Sequence, residues 1–323
     1  MRALPKFAKF LGRFAAILLA AALLLLPLNA WALGICRFPK LKPVILKDMG
    51  PCRFDLDFMR FAGEPVDEAR CLLTPVEKFG KLGAPIETLP DILTERVGGS
   101  FGLPGREALR ALLRERGLEW EFGETLSRPV AHAHDGDPIS TSARYLVIHD
   151  TSAPNFRGRP WPNDIDRDGS INNLARYQCD NKIERAHVFI NRTGKILLAH
   201  DFEVPWRATK FEMAVQFASA LKGLFLHVEL IQPRRREPRR GWNNDFQAPM
   251  PGFSRAQYDA LALTYTVASL RAGFWLIPAF HGVLDEGIYD KHDDPQNFQL
   301  QAFVESLEKL LVELQKLAAL PSK

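Results

Sequence analysis

Three residues of metal-ligand type follow short apolar segments or occupy a turn between residues 145 and 295. His149 directly follows the apolar run 145–148, and His281 follows the run 277–280 in the same way. Asp294 lies thirteen residues after His281 and precedes a proline. Two imidazoles and one carboxylate leave the fourth position of a tetrahedral zinc ion open, an arrangement typical of catalytic zinc sites. We therefore interpret His149, His281 and Asp294 as ligands of a Zn²⁺ cofactor.

The elements that must position these residues can be predicted from the apolar pattern. Short runs typical of buried strands occur at 145–148, 188–190, 196–198, 224–231 and 274–280. Gly194 indicates a hairpin between the second and third runs, and helical periodicity occurs at 211–221, 254–272 and 298–317. Strands that alternate with helices predict an α/β fold with a mixed central sheet flanked by helices.

Five short motifs around these residues occur in an order that is similar to a known family. They are I-H-x-T at 148–151, a small residue and a histidine opening a strand–turn–strand at 186–196, W-x-A at 206–208, a strand with an acidic residue at 227–230, and His281 followed by Asp294, Pro295 and Phe298. Over residues 144–298 the chain resembles the zinc-dependent N-acetylmuramoyl-L-alanine amidase family, which has the type-2 amidase and peptidoglycan-recognition-protein fold. The resemblance does not extend to the preceding residues.

The resemblance implies hydrolysis of the amide bond between N-acetylmuramic acid and L-alanine in peptidoglycan or muropeptides. It implies that Glu229 is the general base, and an apolar surrounding would raise its pKa to suit this task. Relatives place a lysine or arginine two residues before the ligand aspartate, near the developing oxyanion. Here that position is His292; if Asp293 were the ligand, Lys291 would occupy it. The motif favours Asp294 with His292 and leaves Lys291 as the alternative catalytic residue.

Three further residues are candidates for substrate binding, namely His187, Trp206 and Arg207. Arg207 stands where many relatives have the histidine of W-H-A, and its fixed charge could bind a carboxylate of the stem peptide or of the lactyl group. An ordinary surface ion pair explains Arg207 equally well. His187 also has two interpretations, either a pocket residue that contacts substrate or a histidine packed within a strand.

The main alternative function is a non-catalytic peptidoglycan-binding protein of the same fold. Relatives that only recognise peptidoglycan usually lack a zinc ligand, whereas all three ligand types are present here, so an enzyme is favoured. No H-E-x-x-H motif occurs, which disfavours the commonest metalloprotease design. The segment 164–168 begins like a calcium loop, but position 12 is Ala175, so a polar turn is favoured over a weak calcium site. The preferred form of peptidoglycan and the oligomeric state stay open.

The first 32 residues have the features of a secretory signal peptide. A basic start, an apolar run at 14–28 and a final A-x-A pattern favour cleavage after Ala32 and export to the periplasm or cell envelope, without stable membrane insertion afterwards. An uncleaved membrane anchor is the alternative, which the short apolar run disfavours. The 42 basic residues exceed the 38 acidic ones by four, and this segment contains four basic and no acidic residues. The mature chain is therefore near neutral, which argues against nucleic acid as a partner.

The mature chain is predicted to divide into a region of unknown role at 33–140 and a zinc amidase domain at 141–323. The first region is rich in proline, glycine and charge, shows helical periodicity at 105–116, and ends in a stretch at 131–137 that is typical of a linker. Four cysteines in an exported chain indicate disulfides and allow three pairings. Cys52 and Cys71 bracket one helical segment and are predicted to pair.

Overall fold

A five-stranded mixed sheet lies at the centre of the protein in a computed structural model, which describes residues 42–46, 50–178, 186–236 and 246–319. In spatial order its strands are β5 (Ile196–Leu198), β4 (Val188–Ile190), β6 (Phe225–Leu230), β3 (Tyr145–Asp150) and β9 (Ile277–Phe280). The last four are mutually parallel, and β5 runs antiparallel to β4. The predicted mixed α/β fold is confirmed, and so is its hairpin.

Two small antiparallel pairs accompany the central sheet. They are β1 (Phe54–Asp55) with β2 (Arg60–Phe61), and β7 (Arg235–Arg236) with β8 (Phe246–Gln247). Strand β3 and the edge strand β9 are buried along their whole length. This burial explains why both strands are continuous apolar runs rather than alternating ones, as is typical of parallel strands covered on both faces.

Two long helices, α5 (Arg255–Ala272) and α7 (Leu300–Ala318), pack against each other beside the sheet. Ser254 begins α5 with a reciprocal pair of hydrogen bonds to Gln257, and Gly273 ends it at a φ of 81°. The shorter helices are α1 (Pro65–Leu72), α2 (Asp91–Thr94), α3 (Arg106–Glu115), α4 (Ala133–Gly136) and α6 (His281–Leu284). The helices predicted at 105–116, 254–272 and 298–317 are confirmed.

The helix predicted at 211–221 is wrong. Of this segment, which is described in full, a single turn at Val215–Phe217 is helical. The reason is that its backbone N–H groups bond to distant parts of the chain. Phe211 N donates to the Asp285 carboxylate at 2.9 Å, and Val215 N donates to Val44 O at 2.9 Å. These tertiary hydrogen bonds satisfy the backbone in place of the i→i−4 pattern that the apolar spacing predicted.

Residues 50–140 contribute to the same hydrophobic core as the sheet. Leu72 of α1 and Leu109 of α3 belong to one buried cluster with Leu226 of β6. Glu68, fully buried on α1, also accepts hydrogen bonds from Arg144 and from the hydroxyl of Tyr145 on β3. A charged side chain in this position is tolerated because it is paired and hydrogen-bonded.

The stretch at 131–137 is not the exposed linker that its composition indicated. Ala131 and Ala133 are buried, and Ala133 N donates to Thr141 O at 2.8 Å. His134 N donates to Ala220 O at 3.0 Å, which attaches the stretch to the segment before β6. The small alanine side chains permit this close packing, which a polarity-based interpretation does not detect.

The acidic segment 164–168 forms a polar turn, as favoured from the sequence. The Asp168 carboxylate accepts a hydrogen bond from Ser170 N at 2.8 Å. The Asp166 carboxylate pairs with the buried guanidinium of Arg192 at 2.7 Å. Both carboxylates are therefore bonded to groups of the protein itself.

The predicted disulfide between Cys52 and Cys71 is present, with Cα atoms 5.8 Å apart. Cys36 and Cys179 lie outside the described residues, as do the predicted signal peptide and its cleavage site at Ala32. Within the described residues, the helices lack the length and apolar character that a membrane span requires.

Removing this disulfide by the double substitution Cys52→Ser and Cys71→Ser is expected to lower the free energy of unfolding by about 3 kcal/mol. The bond spans 19 positions of the chain and restricts the unfolded ensemble. Urea denaturation of both proteins, followed by tryptophan fluorescence, measures the difference. An unchanged unfolding midpoint would show that the cross-link contributes no stability.

Candidate metal centre

The candidate site lies at the carboxyl-terminal edge of the parallel strands. Because β3, β6 and β9 run in the same direction, their last residues meet at one edge of the sheet, where α/β proteins commonly bind ligands. His149 is paired in register with Glu229 on the neighbouring strand, and His281 directly follows Phe280 at the end of β9. Neighbouring strands lie about 4.8 Å apart, so these three residues form one row.

Three buried side chains converge with a spacing that could hold a metal ion, namely His149, His281 and Asp294. Nδ1 of His149 lies 2.8 Å from Nδ1 of His281, which lies 3.1 Å from Oδ1 of Asp294. Oδ2 of Asp294 is 3.9 Å from Nδ1 of His149. The structure thus brings together the three residues that the sequence analysis selected, while zinc as the metal stays a prediction.

Asp294 is held in place by hydrogen bonds to two neighbouring elements. Asp150 N, at the end of β3, donates to Oδ2 of Asp294 at 3.0 Å. Gly282 N, in the first turn of α6, donates to the carbonyl oxygen of Asp294 at 2.6 Å. A Cβ atom at position 282 would lie only 3.0 Å from the same oxygen. Glycine therefore allows the loop to approach α6 closely enough to direct the carboxylate at the two histidines.

The neighbouring Asp293, which was the alternative ligand, is bonded elsewhere. One of its oxygens accepts a hydrogen bond from Gln296 Nε2 at 2.7 Å, and the other lies 3.4 Å from the buried guanidinium of Arg234. Of the two consecutive aspartates, Asp294 is therefore the one that lies beside His281.

Opposite pKa shifts of the two histidines fit a cation site. Burial, and then the nearby His281, lowers the pKa of His149 well below its usual range, so His149 is neutral, as a metal ligand must be. Burial alone would also lower the pKa of His281, but the Asp294 and Asp285 carboxylates raise it well above its usual range. The carboxylates therefore stabilise positive charge at this point, which a bound cation would also supply.

Glu229 extends the row of site residues and keeps part of its surface open to solvent. Its Oε2 atom is buried and makes no hydrogen bond in the described part of the chain. Burial, and then the nearby Asp294 carboxylate, raises the pKa of Glu229 well above its ordinary value. A buried carboxyl oxygen without a hydrogen bond is unfavourable for stability, and such a group beside a metal centre is suited to proton transfer.

His292 and Lys291, the two candidates for the oxyanion position, lie in different surroundings. The His292 ring packs against the His281 ring at a tilt of 31°, with centroids 4.1 Å apart, and its Nδ1 lies 2.6 Å from the Asp285 carboxylate. Nζ of Lys291 instead pairs with the Glu286 carboxylate. His292 is therefore adjacent to a candidate metal ligand, whereas Lys291 belongs to a separate ion pair.

Asp285 is a site residue that the sequence analysis missed. It is fully buried, and its Oδ2 lies 3.0 Å from Nε2 of His281 and 2.6 Å from Nδ1 of His292. Burial alone would raise the pKa of this carboxyl, but the adjacent His281 holds it below its usual range. A carboxylate at the distal nitrogen of a metal-ligating histidine fixes the ring orientation. The available signal was the spacing of four residues from His281, which places both on one side of a helical turn.

His187 is fully buried, with both ring nitrogens bonded within the protein. Its Nε2 donates to Val204 O at 3.0 Å, and its Nδ1 accepts from His227 N at 3.0 Å. This geometry matches the second interpretation given from the sequence, a histidine packed at the start of a strand.

Trp206 and Arg207 are half-buried and also contact other protein groups. The Trp206 ring packs on the His200 ring with centroids 4.2 Å apart. Arg207 donates from Nη1 to Ala218 O at 3.1 Å. Neither contact involves the metal-centre residues, so substrate binding by Trp206 and Arg207 stays a prediction.

None of the protein-family models, curated proteins and solved structures with which the chain was compared matches it.

Proposed function

We propose that the protein is a zinc-dependent N-acetylmuramoyl-L-alanine amidase of the type-2 amidase and peptidoglycan-recognition-protein fold. The observation that carries the proposal is the convergence of His149, His281 and Asp294 in one row with a Glu229 carboxyl oxygen that is buried and makes no hydrogen bond to the described residues. Amide hydrolysis requires activation of water and protonation of the leaving amine. A metal centre with an adjacent carboxyl group meets both requirements.

Zinc fits the donor set of two imidazole nitrogens and one carboxylate, which is typical of catalytic zinc sites. His149 and His281 would bind the ion through Nδ1, and Asp294 through a carboxylate oxygen. Asp285 would orient the His281 ring from its other nitrogen. When bound, zinc supplies the Lewis acidity that polarises a carbonyl group and increases the acidity of water.

The carboxyl group of Glu229 would accept a proton from the attacking water and return it to the nitrogen of the leaving L-alanine. Burial, and then the Asp294 carboxylate, raises the pKa of Glu229, which makes it a stronger base than an ordinary glutamate. In its imidazolium form, with a proton on each ring nitrogen, His292 would donate from Nδ1 to Asp285 and from Nε2 to the developing oxyanion. Lys291 is the weaker candidate for this role because Glu286 pairs with it.

Peptidoglycan or a muropeptide as the substrate is supported by the motif resemblance over 144–298 and by the predicted export signal. Export to the periplasm or envelope would bring the enzyme to a substrate outside the cytoplasm. The same fold without catalysis would make the protein a peptidoglycan-binding module, which an activity measurement distinguishes from an amidase.

Incubation of muropeptides with the purified protein lacking its first 32 residues is expected to release free stem peptide and unsubstituted glycan. Mass spectrometry identifies both products. Activity should disappear with a chelator and return when Zn²⁺ is added, because the three ligand residues lose their ion and regain it. Heat-denatured protein serves as the control for spontaneous hydrolysis.

Intact muropeptides under all conditions, with the protein folded by circular dichroism and loaded with zinc, would contradict the amidase proposal. Binding of the same muropeptides by isothermal titration calorimetry would then favour the peptidoglycan-binding module. Cleavage at a different bond would retain the metal centre and change the substrate assignment.

A further inference from the structure

A line of three buried polar side chains extends from the metal centre into the protein interior. It runs from His149 on β3 to His227 on β6 and ends at Glu212, and each of the three is at most 1% exposed. Nε2 of His149 lies 3.0 Å from Nδ1 of His227. Nε2 of His227 lies 3.4 Å from Oε2 of Glu212, a charge contact without hydrogen-bond geometry, and makes no hydrogen bond within the described residues. Neither His227 nor Glu212 has a role in the chemistry described above.

The hydrogen-bond direction along this line follows from its inner end. Oε2 of Glu212 accepts hydrogen bonds from Ala208 N at 3.1 Å, Thr209 N at 3.0 Å and Thr209 Oγ1 at 2.9 Å. The carboxylate oxygen 3.4 Å from Nε2 of His227 electrostatically favours the His227 tautomer that carries its proton on Nε2. In a neutral imidazole one nitrogen donates and the other accepts. A proton on Nε2 of His227 therefore leaves its Nδ1 as the acceptor for His149.

The same rule determines the state of His149. Its Nε2 must carry the proton that is donated to His227, and its Nδ1 then presents a lone pair. Nδ1 is the nitrogen that faces His281 and Asp294.

We propose that His227 and Glu212 are positioning residues that hold His149 in the Nε2-protonated tautomer, so that Nδ1 is available to the metal. The inference rests on the zinc centre of the proposed function but not on its substrate. The His227–Glu212 pair would then orient the His149 ring through Nε2, the nitrogen that does not face the metal, as Asp285 orients the His281 ring. Outer partners of this kind typically change metal affinity by roughly 10–100-fold when they are removed.

The matched substitutions His227→Leu and His227→Asn test this proposal. The two replacements are similar in size and equally remove the contact with Glu212, but Asn keeps an acceptor near the position of Nδ1. Zinc affinity, measured by competition with a chromophoric chelator, is expected to fall roughly 10–100-fold in His227→Leu. His227→Asn should regain part of this loss, because it keeps the acceptor for His149 but lacks the contact with Glu212. Thermal melting of the metal-free variants reports any general loss of structure.

The visible absorption of the Co²⁺-substituted proteins gives a second readout that is independent of activity. His227→Asn should retain the wild-type spectrum, and His227→Leu should alter it because the His149 ring is no longer oriented. Equal zinc affinities of the two variants would overturn the inference and leave the amidase proposal intact. A wild-type protein that binds no zinc would overturn both, whereas zinc binding without hydrolysis would overturn the amidase proposal alone.

Discussion

Replacing His149 with alanine is expected to abolish zinc binding and to lower amidase activity by roughly 10³-fold or more. The metal is expected to supply several kcal/mol of transition-state stabilisation, and about 1.4 kcal/mol corresponds to a tenfold change in rate. His149→Ala leaves only His281 and Asp294, whose Nδ1 and Oδ1 atoms lie 3.1 Å apart and would pair with each other. Elemental analysis of the purified protein and muropeptide hydrolysis measure the two effects.

The matched control for this substitution is His134→Ala, because His134 is an exposed histidine outside the metal centre. It should leave both zinc content and activity at the wild-type level. The metal-free forms of the wild type and His149→Ala should have similar melting temperatures, which separates ligand loss from unfolding. Full activity in His149→Ala would exclude the zinc assignment made here.

Replacing Glu229 with glutamine is expected to lower kcat by roughly 10²–10⁴-fold, the range attributed to general acid–base catalysis, while zinc binding is retained. Glutamine has almost the same shape as glutamate but cannot accept and return the proton. The fold should tolerate the change, because the buried Oε2 of Glu229 makes no hydrogen bond to the described residues. Zinc content and steady-state kinetics on a muropeptide provide the measurement.

The pattern of kinetic change in Glu229→Gln distinguishes proton transfer from substrate binding. A residue that acts in the transition state lowers kcat and kcat/KM together, whereas a binding residue mainly raises KM. A variant with unchanged kcat and full zinc content would exclude Glu229 as the general base. The general base would then have to be another group near the metal site, and His292 would be the first candidate.

The sequence was informative where local patterns report directly on structure. Helix α5 could be predicted at both ends, because Ser254 and Gln257 form a capping box and Gly273 supplies the left-handed residue that ends the helix. The disulfide between Cys52 and Cys71 was predicted from two cysteines placed around one segment of helical periodicity, and in the structure Cys71 lies within that helix, α1. In each case the relevant residues lie within about 20 positions of each other.

The sequence was misleading where distant partners satisfy the backbone. The apolar spacing at 211–221 is compatible with a helix, but Asp285 and Val44 bind N–H groups of this segment. Polar composition at 131–137 is typical of a linker, but buried alanines and hydrogen bonds attach it to the core. Local composition contains no information about such partners, so tertiary contacts override it.

The candidate site likewise contains residues that the sequence could identify and residues that only the tertiary structure revealed. The order of apolar runs and ligand-type residues selected His149, His281 and Asp294, because strands that end at a common sheet edge carry their final side chains to one place. The motif resemblance added Glu229. Asp285, His227 and Glu212 could be recognised only in the tertiary structure. Their importance depends on which ring nitrogen of a histidine faces which carboxylate, and that geometry is produced by packing β3, β6 and α6 together rather than by any spacing along the chain.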